Sequence, residues 1–274
     1  GSFIFGFAMQ LGGGCGSGTL FTAGSGNIKM VITLIFFIIG SLIGSYHFEF
    51  WANLPSFKPV SLLNMFSKIN TILIQLSALG LIYYLISKME FNRNNKINHN
   101  DIISNPSHSL IRGPWPLLWG SISLVFFSFL MLQVAGHPWS VTFAFGLWGA
   151  KIASFLGVEV SSWTYWQLEY PSTALENSVL ADPTTVSNIG IILGALIGSA
   201  LSGKITKFTS VNKKLVLAAV IGGLFMGYGA RLAFGCNIGA LFGGIASGSL
   251  HGWVWFLFAF LGSVVGVKLR KYFY

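Results

Sequence analysis

The sequence has 274 residues, of which 53% are hydrophobic and 8% charged, with a formal charge of +9. A soluble domain carries roughly a quarter charged residues, so this composition excludes a soluble globular core and leaves an integral membrane protein. The basic residues lie in loops and in the C-terminal tail rather than in one stripe, which excludes a nucleic-acid surface and assigns the charge to topology and anionic lipid.

In chain order, the first apolar block runs from Phe3 to Ala23 and is broken at Gly12-Gly13-Gly14-Cys15-Gly16. Uninterrupted blocks follow at Ile28 to Tyr46 and Ile69 to Ser87, close to the roughly 20 residues that a spanning helix needs. The stretch from Lys88 to Gly113 is rich in Asn, Ser and His and predicts an exposed connector. It separates a first half of about residues 1–90 from a second half of about residues 115–274, with the polar loop over 88–114, all within a single transmembrane domain 1–274. The second half carries blocks at Trp115 to Val134, Val186 to Ser202, Leu215 to Phe234 and Trp253 to Val267. A further segment, Trp139 to Val158, holds a glycine pair around Trp148 and a lysine. The expected fold is all-α, a polytopic membrane helix bundle with inverted repeats and broken or re-entrant helices.

Loop charge predicts the orientation. Lys and Arg concentrate in Lys88 to Arg112, Lys204 to Lys214 and Lys268 to Lys271, which the positive-inside rule places in the cytoplasm. Counting crossings then puts residues 49–68, His137 and residues 159–184 outside, so Trp139 to Val158 must enter and return from the outer face as a re-entrant element.

The two cysteines are the centres of one motif written twice. GFAMQLGGGCGSGTLF can be laid on GYGARLAFGCNIGALF without a gap, matching Gly6 to Gly227, Leu11 to Leu232, Gly14 to Gly235, Cys15 to Cys236 and Gly18 to Gly239. An internal repeat predicts two structural halves. The crossing count runs the copies in opposite directions, and inverted halves place a substrate site where their broken helices meet.

Each copy reads as helix, glycine break, cysteine, second short helix. In hydrocarbon such a break requires a polar cavity or protein to satisfy it. Free amides and the positive dipole end of the second half-helix favour an anion, and the cysteine sits where that anion would bind. A neutral thiol is a weak donor with a soft sulfur, suited to an anion containing sulfur or selenium. The plainer alternative is that Cys15 and Cys236 are small hydrophobic residues filling gaps beside glycine. Their spacing matches neither a disulfide framework nor a CxxC or zinc pattern, so free thiols with no metal and no cofactor are expected. The candidate binding residues are Cys15, Cys236, the adjoining Gly14, Gly16, Gly235 and Asn237, and two cations in or near apolar segments, Arg231 and Lys151. An unpaired cation there marks a functional interior unless it snorkels or pairs with carbonyls. His137 and Trp139, at the start of the re-entrant segment, are second-rank candidates that would otherwise serve as interfacial anchors.

All seven acids lie at or beyond the ends of the membrane blocks, leaving no carboxylate to carry a proton or sodium. Small residues at Gly190, Gly194, Gly198 and Ser202, at Gly40 and Gly44, and at Gly262 and Gly266 are expected to let neighbouring helices approach closely.

The segments GGGCGSGTLFTAGSGN, HPWSVTFAFGLWGAK and GARLAFGCNIGALFGGIASGSLHGWVW resemble the signature segments of the YeeE/YedE membrane proteins, transporters of thiosulfate and other sulfur compounds. The resemblance covers essentially the whole chain. It implies a multi-pass protein of the bacterial inner membrane, not an enzyme, that imports thiosulfate or a related sulfur anion along buried cysteine thiols. Cys15 matches the cysteine of the family's GGC segment and Cys236 that of its GCN segment. It also implies a first-half counterpart of HPWSVT bearing a further cysteine; that element is missing here, and with the Gly-Ser start a truncated N-terminus is expected. A cytoplasmic sulfur carrier or sulfurtransferase is the implied protein partner. Selenium compounds remain an alternative cargo, and a thiol-dependent membrane enzyme or redox protein an alternative class.

Overall fold

A computed structural model describes residues 1–94, 115–203 and 212–274. The connector from 95 to 114 and the basic stretch 204–211 lie outside the described residues. The elements are α1 (Ser2–Gly12), α2 (Gly16–Gly24), α3 (Ile28–Tyr46), the short α4 (Phe48–Ala52) and α5 (Leu62–Met65), α6 (Lys68–Asn94), α7 (Leu117–Ala135), α8 (Thr142–Phe155), α9 (Glu169–Glu176), α10 (Pro183–Leu201), α11 (Lys213–Leu232), a π-helical turn Asn237–Phe242 leading into α12 (Gly243–Ala246), and α13 (Leu250–Arg270). Six helical stretches among the described residues are long and apolar enough to cross a membrane. The chain is an all-α polytopic membrane protein.

Helix starts follow their capping residues. Asn27 accepts from the Met30 amide at 3.2 Å ahead of α3, Asp182 from Thr185 at 2.8 Å ahead of α10, and Ser249 from His251 at 3.3 Å ahead of α13. The first part of the expected connector is helical, because α6 runs on to Asn94.

Two close helix seams form the core, and one is a copy of the other. α1 lies parallel to α13: Gly6 sits on the Ala259 backbone, Gly262 on Phe3 and Phe7, and Gly266 on Phe7 and Gln10. α11 lies parallel to α3 in the same pattern, with Gly227 on the Phe37 backbone, Gly40 on Leu224 and Gly44 on Tyr228 and Arg231. The motif alignment carries Gly6 onto Gly227, Phe3 onto Leu224 and Phe7 onto Tyr228, so corresponding glycines meet corresponding backbones. α1 and α11 themselves cross antiparallel, since Gly222 meets Gly12 and Gly229 meets Gly1 and Phe5. This is the inverted pairing that the crossing count implied. The third stripe behaves differently: a Cβ at Gly190, Gly194 or Gly198 would find nothing within 4 Å among the described residues. That face of α10 packs on no helix here, which corrects the expectation of a close approach.

The ends of the bundle sort as the loop charges suggest. At one end, Leu62 and Leu250 exchange backbone bonds with Gly248 and Val60 at 2.8 and 3.0 Å, Thr164 donates to Glu49 at 2.8 Å, and Trp51 to Tyr228 at 2.8 Å. At the other end Lys29, Arg270 and Tyr274 come together. Between Gly136 and Val141 the chain turns inward without helix, and α8 then runs alongside α3, Phe145 meeting Phe37 at 4.8 Å between ring centres. With 14 residues α8 is about 21 Å long, short of the roughly 30 Å hydrocarbon core, as a returning half-helix should be.

Candidate functional site

Both glycine breaks have the same local build. α1 closes on Gly13 in the left-handed region at φ 93°, and Cys15 is extended and caps α2, its carbonyl accepting from the Thr19 amide at 2.8 Å. In the second copy Phe234 takes the left-handed place at φ 56°, Gly235 follows at φ 147°, and the Cys236 carbonyl accepts from the Ala240 amide at 2.9 Å. Glycine is required at 235, since a Cβ there would stand 2.8 Å from the Ala240 nitrogen. The first amides of each following helix have no partner of their own within it.

The two breaks meet. A Cβ on Gly16 would lie 3.4 Å from Cys236 Sγ and 3.4 Å from Thr142 Cγ2, so the Cys236 sulfur rests against the residue next to Cys15, beside the start of α8. Ser140 borders the same turn, 3.5 Å from a Cβ built on Gly239. Cys236 is fully buried, while Cys15 is half-buried with its sulfur 3.4 Å from Ser17 Oγ. Three element starts therefore converge on one point: α2, the turn after Cys236, and α8.

A cavity of about 500 Å³ leads to this point and reaches Gly235, next to Cys236. His137, Ser140, Thr142, Tyr165, Arg231 and Phe234 are among its lining residues. Arg231 is 7% exposed and held on three sides: Nη1 donates to Tyr165 Oη, and Nη2 to Ser41 Oγ at 2.9 Å and to the Thr142 carbonyl at 3.4 Å. The guanidinium carbon also stands 4.5 Å from the centre of the Tyr165 ring, and Nε has no partner. Among the described residues no carboxylate pairs with this guanidinium. It supplies uncompensated positive potential to the cavity, where a low dielectric lengthens its reach.

The acid that bonds two lining residues of the cavity, Thr184 and Tyr170, is fully engaged. Asp182 is buried at the start of α10 and accepts from the Thr184 and Thr185 hydroxyls, the Thr185 amide and, at 3.0 Å, Tyr170 Oη. Burial first, and then the Asp182 charge, push the Tyr170 phenol up, so it remains a neutral donor.

Of the expected residues, the structure gathers Cys15, Cys236, Gly16, Gly235, Arg231 and His137 around the junction and its cavity. His137 bonds its own neighbour, Nδ1 to the Pro138 carbonyl at 3.0 Å, and its Nε2 is buried without a partner. A Cβ built on Gly14 would lie 3.5 Å from the Gly18 and Thr19 backbone, behind the first break. Three others point elsewhere. Lys151 donates to the carbonyls of Leu175 and, at 2.8 Å, Asn177, at the C-terminal end of α9 where carbonyls and dipole attract a cation. Trp139 lines a separate apolar cavity of about 650 Å³ between α7 and α10. Asn237 faces another apolar cavity of about 530 Å³ beside α6. Tyr165, Ser41, Thr184 and Gly146 were not anticipated. A serine within an otherwise apolar helix was the available signal for Ser41.

Comparison with known proteins assigns the chain to a family. The family described as "Sulphur transport" matches residues 1–265. The Probable transporter YedE of Escherichia coli (strain K12) is 30% identical over 135 residues, 49% of this chain and 33% of that protein. Its counterpart from Salmonella typhimurium is 32% identical over the same length and the same 33% share, so the chain matches about a third of the length of these curated relatives. The Thiosulfate transporter TsuA of Spirochaeta thermophila is 26% identical over 281 residues, 96% of this chain and 74% of that protein. With a match to the family over nearly its entire length, the chain belongs to the sulphur-transport family, the YeeE/YedE proteins that its cysteine motifs resemble.

Proposed function

We propose that the chain is a permease for thiosulfate or a closely related sulfur anion, and not an enzyme. The observation that carries this reading is the meeting of two inverted helix breaks at Gly16 and Cys236, beneath a cavity whose buried cation, Arg231, has no carboxylate partner among the described residues. The anion enters from the end that gathers residues 49–62 and 159–184, drawn by Arg231 and by the free amides at the breaks. At the junction the Cys236 thiol donates its S–H to the terminal sulfur of the anion, and Cys15 takes over the contact on the far side. A thiol neutralises no charge and binds weakly, so the anion is released as readily as it is held. The similarity to a thiosulfate transporter supports the choice of cargo. The protein works in the bacterial inner membrane, and a cytoplasmic sulfurtransferase or sulfur carrier consumes the product and drives net import.

The test is uptake of ³⁵S-thiosulfate into liposomes containing the purified chain, with sulfate and selenite as competitors. Saturable uptake inhibited by excess thiosulfate supports the reading; uptake equal to that of empty liposomes overturns it.

A further inference from the structure

At the end of the bundle opposite the Arg231 cavity, the first break is closed by a cluster that the relay leaves unused. Lys29, the second residue of α3, donates Nζ to the Leu11 carbonyl at 3.4 Å, and Tyr274 Oη donates to the same carbonyl at 3.1 Å. Leu11 lies in the last turn of α1, where the carbonyls lack helical partners and the dipole end is negative. Lys29 Nζ stands 4.3 Å from the centre of the Tyr274 ring, and the Arg270 guanidinium stands 4.6 Å from the same ring. Two cations thus share one tyrosine, and among the described residues no carboxylate pairs with either.

The cluster adjoins the first break. Gly13 is the residue it covers: a Cβ there would lie 2.8 Å from Lys29 Nζ and 3.0 Å from Tyr274 Oη, and also 3.0 Å from the Met30 methyl group. The same methyl group lies 3.7 Å from a Cβ built on Gly14, the residue before Cys15. From the junction, the order along the backbone is Cys236, Gly16, Cys15, Gly14, Gly13, then Lys29. Only a residue without a side chain at 13 leaves room for both the ammonium and the phenol. The matching position of the second break is Phe234, and the second residue of α13 is His251, whose ring centre lies 6.3 Å from that of Phe234. Each break thus has beside it the second residue of a later long helix, and at the first break that residue is a lysine backed by an arginine.

Arg231 is fixed by three partners, whereas Lys29 ends on a long flexible stem held by one long bond to a carbonyl. A lysine of this kind can exchange the carbonyl for a better acceptor without moving the backbone. We propose that Lys29 and Arg270 form a second anion station at the inner mouth, which takes the sulfur oxyanion from Cys15 as Lys29 swings from the Leu11 carbonyl to the anion, with Tyr274 as the latch that closes the break when the station is empty. The proposal rests on the transport reading above. It assigns to the inner side a charged station of different character from the thiol junction, one that reads oxyanion charge and not sulfur.

The experiment uses inside-out vesicles containing the protein and follows alkylation of Cys15 by a small maleimide while thiosulfate is added to the exposed inner face. The unaltered protein is expected to be protected by thiosulfate, and also by sulfate, because a charge-reading station does not need a sulfur acceptor. Lys29→Gln should require about tenfold more of either anion for equal protection, and Lys29→Arg should restore it, in line with the loss of one charge-assisted hydrogen bond. Arg270→Gln, at an exposed side chain, repeats the test without disturbing the packed interior. Protection unchanged in both Gln variants overturns the inner station while leaving transport intact. Failure of the transport reading has its own signature, the absence of uptake by the unaltered protein in liposomes.

Discussion

Gly146 and Arg231 occupy one volume divided between them: a Cβ on Gly146 would overlap the Nη2 nitrogen of the arginine, and the same nitrogen donates to Ser41 on α3. The absence of a side chain on α8 is what allows a guanidinium from α11 to reach across to α3 and Tyr165. Gly146→Ala is expected to displace the guanidinium, raise the KM for uptake and lower stability by about 2 kcal/mol through overpacking. Uptake kinetics together with thermal unfolding in detergent would test this. A variant with unaltered KM and stability would show that the arginine is not pinned as described.

Arg231→Lys keeps the charge but loses the fork that binds Tyr165, Ser41 and the Thr142 carbonyl at once. Uptake is expected to fall at least about tenfold, since a buried charge-assisted contact is lost while its partners remain buried. Arg231→Gln should fall further. Equal uptake in the two variants would show that geometry, and not charge, is what the cavity requires.

Phe234 holds the left-handed position that glycine fills in the first break, and its ring lies 6.3 Å from both Phe48 and His251 at the cavity mouth. Phe234→Gly should relieve backbone strain worth about 1 kcal/mol. It should also uncover Cys236, read as faster alkylation of that thiol from the outer face. Slower or unchanged alkylation would remove Phe234 from the entrance.

The paired seams make a contrast that can be measured. Gly40→Ala and Gly262→Ala each push a Cβ into a facing backbone and should each cost about 2 kcal/mol, whereas Gly194→Ala meets open space and should stay within about 0.5 kcal/mol. Thermal unfolding of the three variants side by side is the check. Similar losses at Gly40 and Gly262 are what an inverted repeat requires, because these glycines are counterparts.

Much of this fold can be read from residue order, because a broken apolar block and a doubled motif are one-dimensional signals. The breaks at Cys15 and Cys236, the antiparallel sense of the two copies and the buried Arg231 follow from spacing and loop charge alone. Direction around a helix does not. Lys151 lies one turn beyond Leu147 on α8, yet it reaches the end of α9, and Trp139 and Asn237 line separate apolar cavities although their sequence neighbours Ser140 and Cys236 border the junction. The glycine stripe on α10 misled for the same reason, since small residues permit a close approach without supplying the partner. Tyr165 was invisible because it comes from a short helical turn in a loop, brought to Arg231 only by the tertiary fold.

Cys15 and Cys236 lie on adjoining breaks, so a redox cycle between them is the competing chemistry. A relay by hydrogen bonding needs both thiols reduced throughout. Uptake is therefore expected to persist in excess reductant and to stop when either thiol is alkylated. Dependence of uptake on an oxidant would instead favour thiol redox chemistry.

The most direct measurement is ³⁵S-thiosulfate uptake by liposomes containing Cys236→Ala, the thiol that sits fully buried against Gly16 where the two breaks meet. Removing one sulfur from a position bordered by glycine should leave the fold intact, and uptake should fall to that of empty liposomes while thermal stability stays near that of the unaltered protein. Uptake by Cys236→Ala at the unaltered rate would contradict passage of the anion along the thiols.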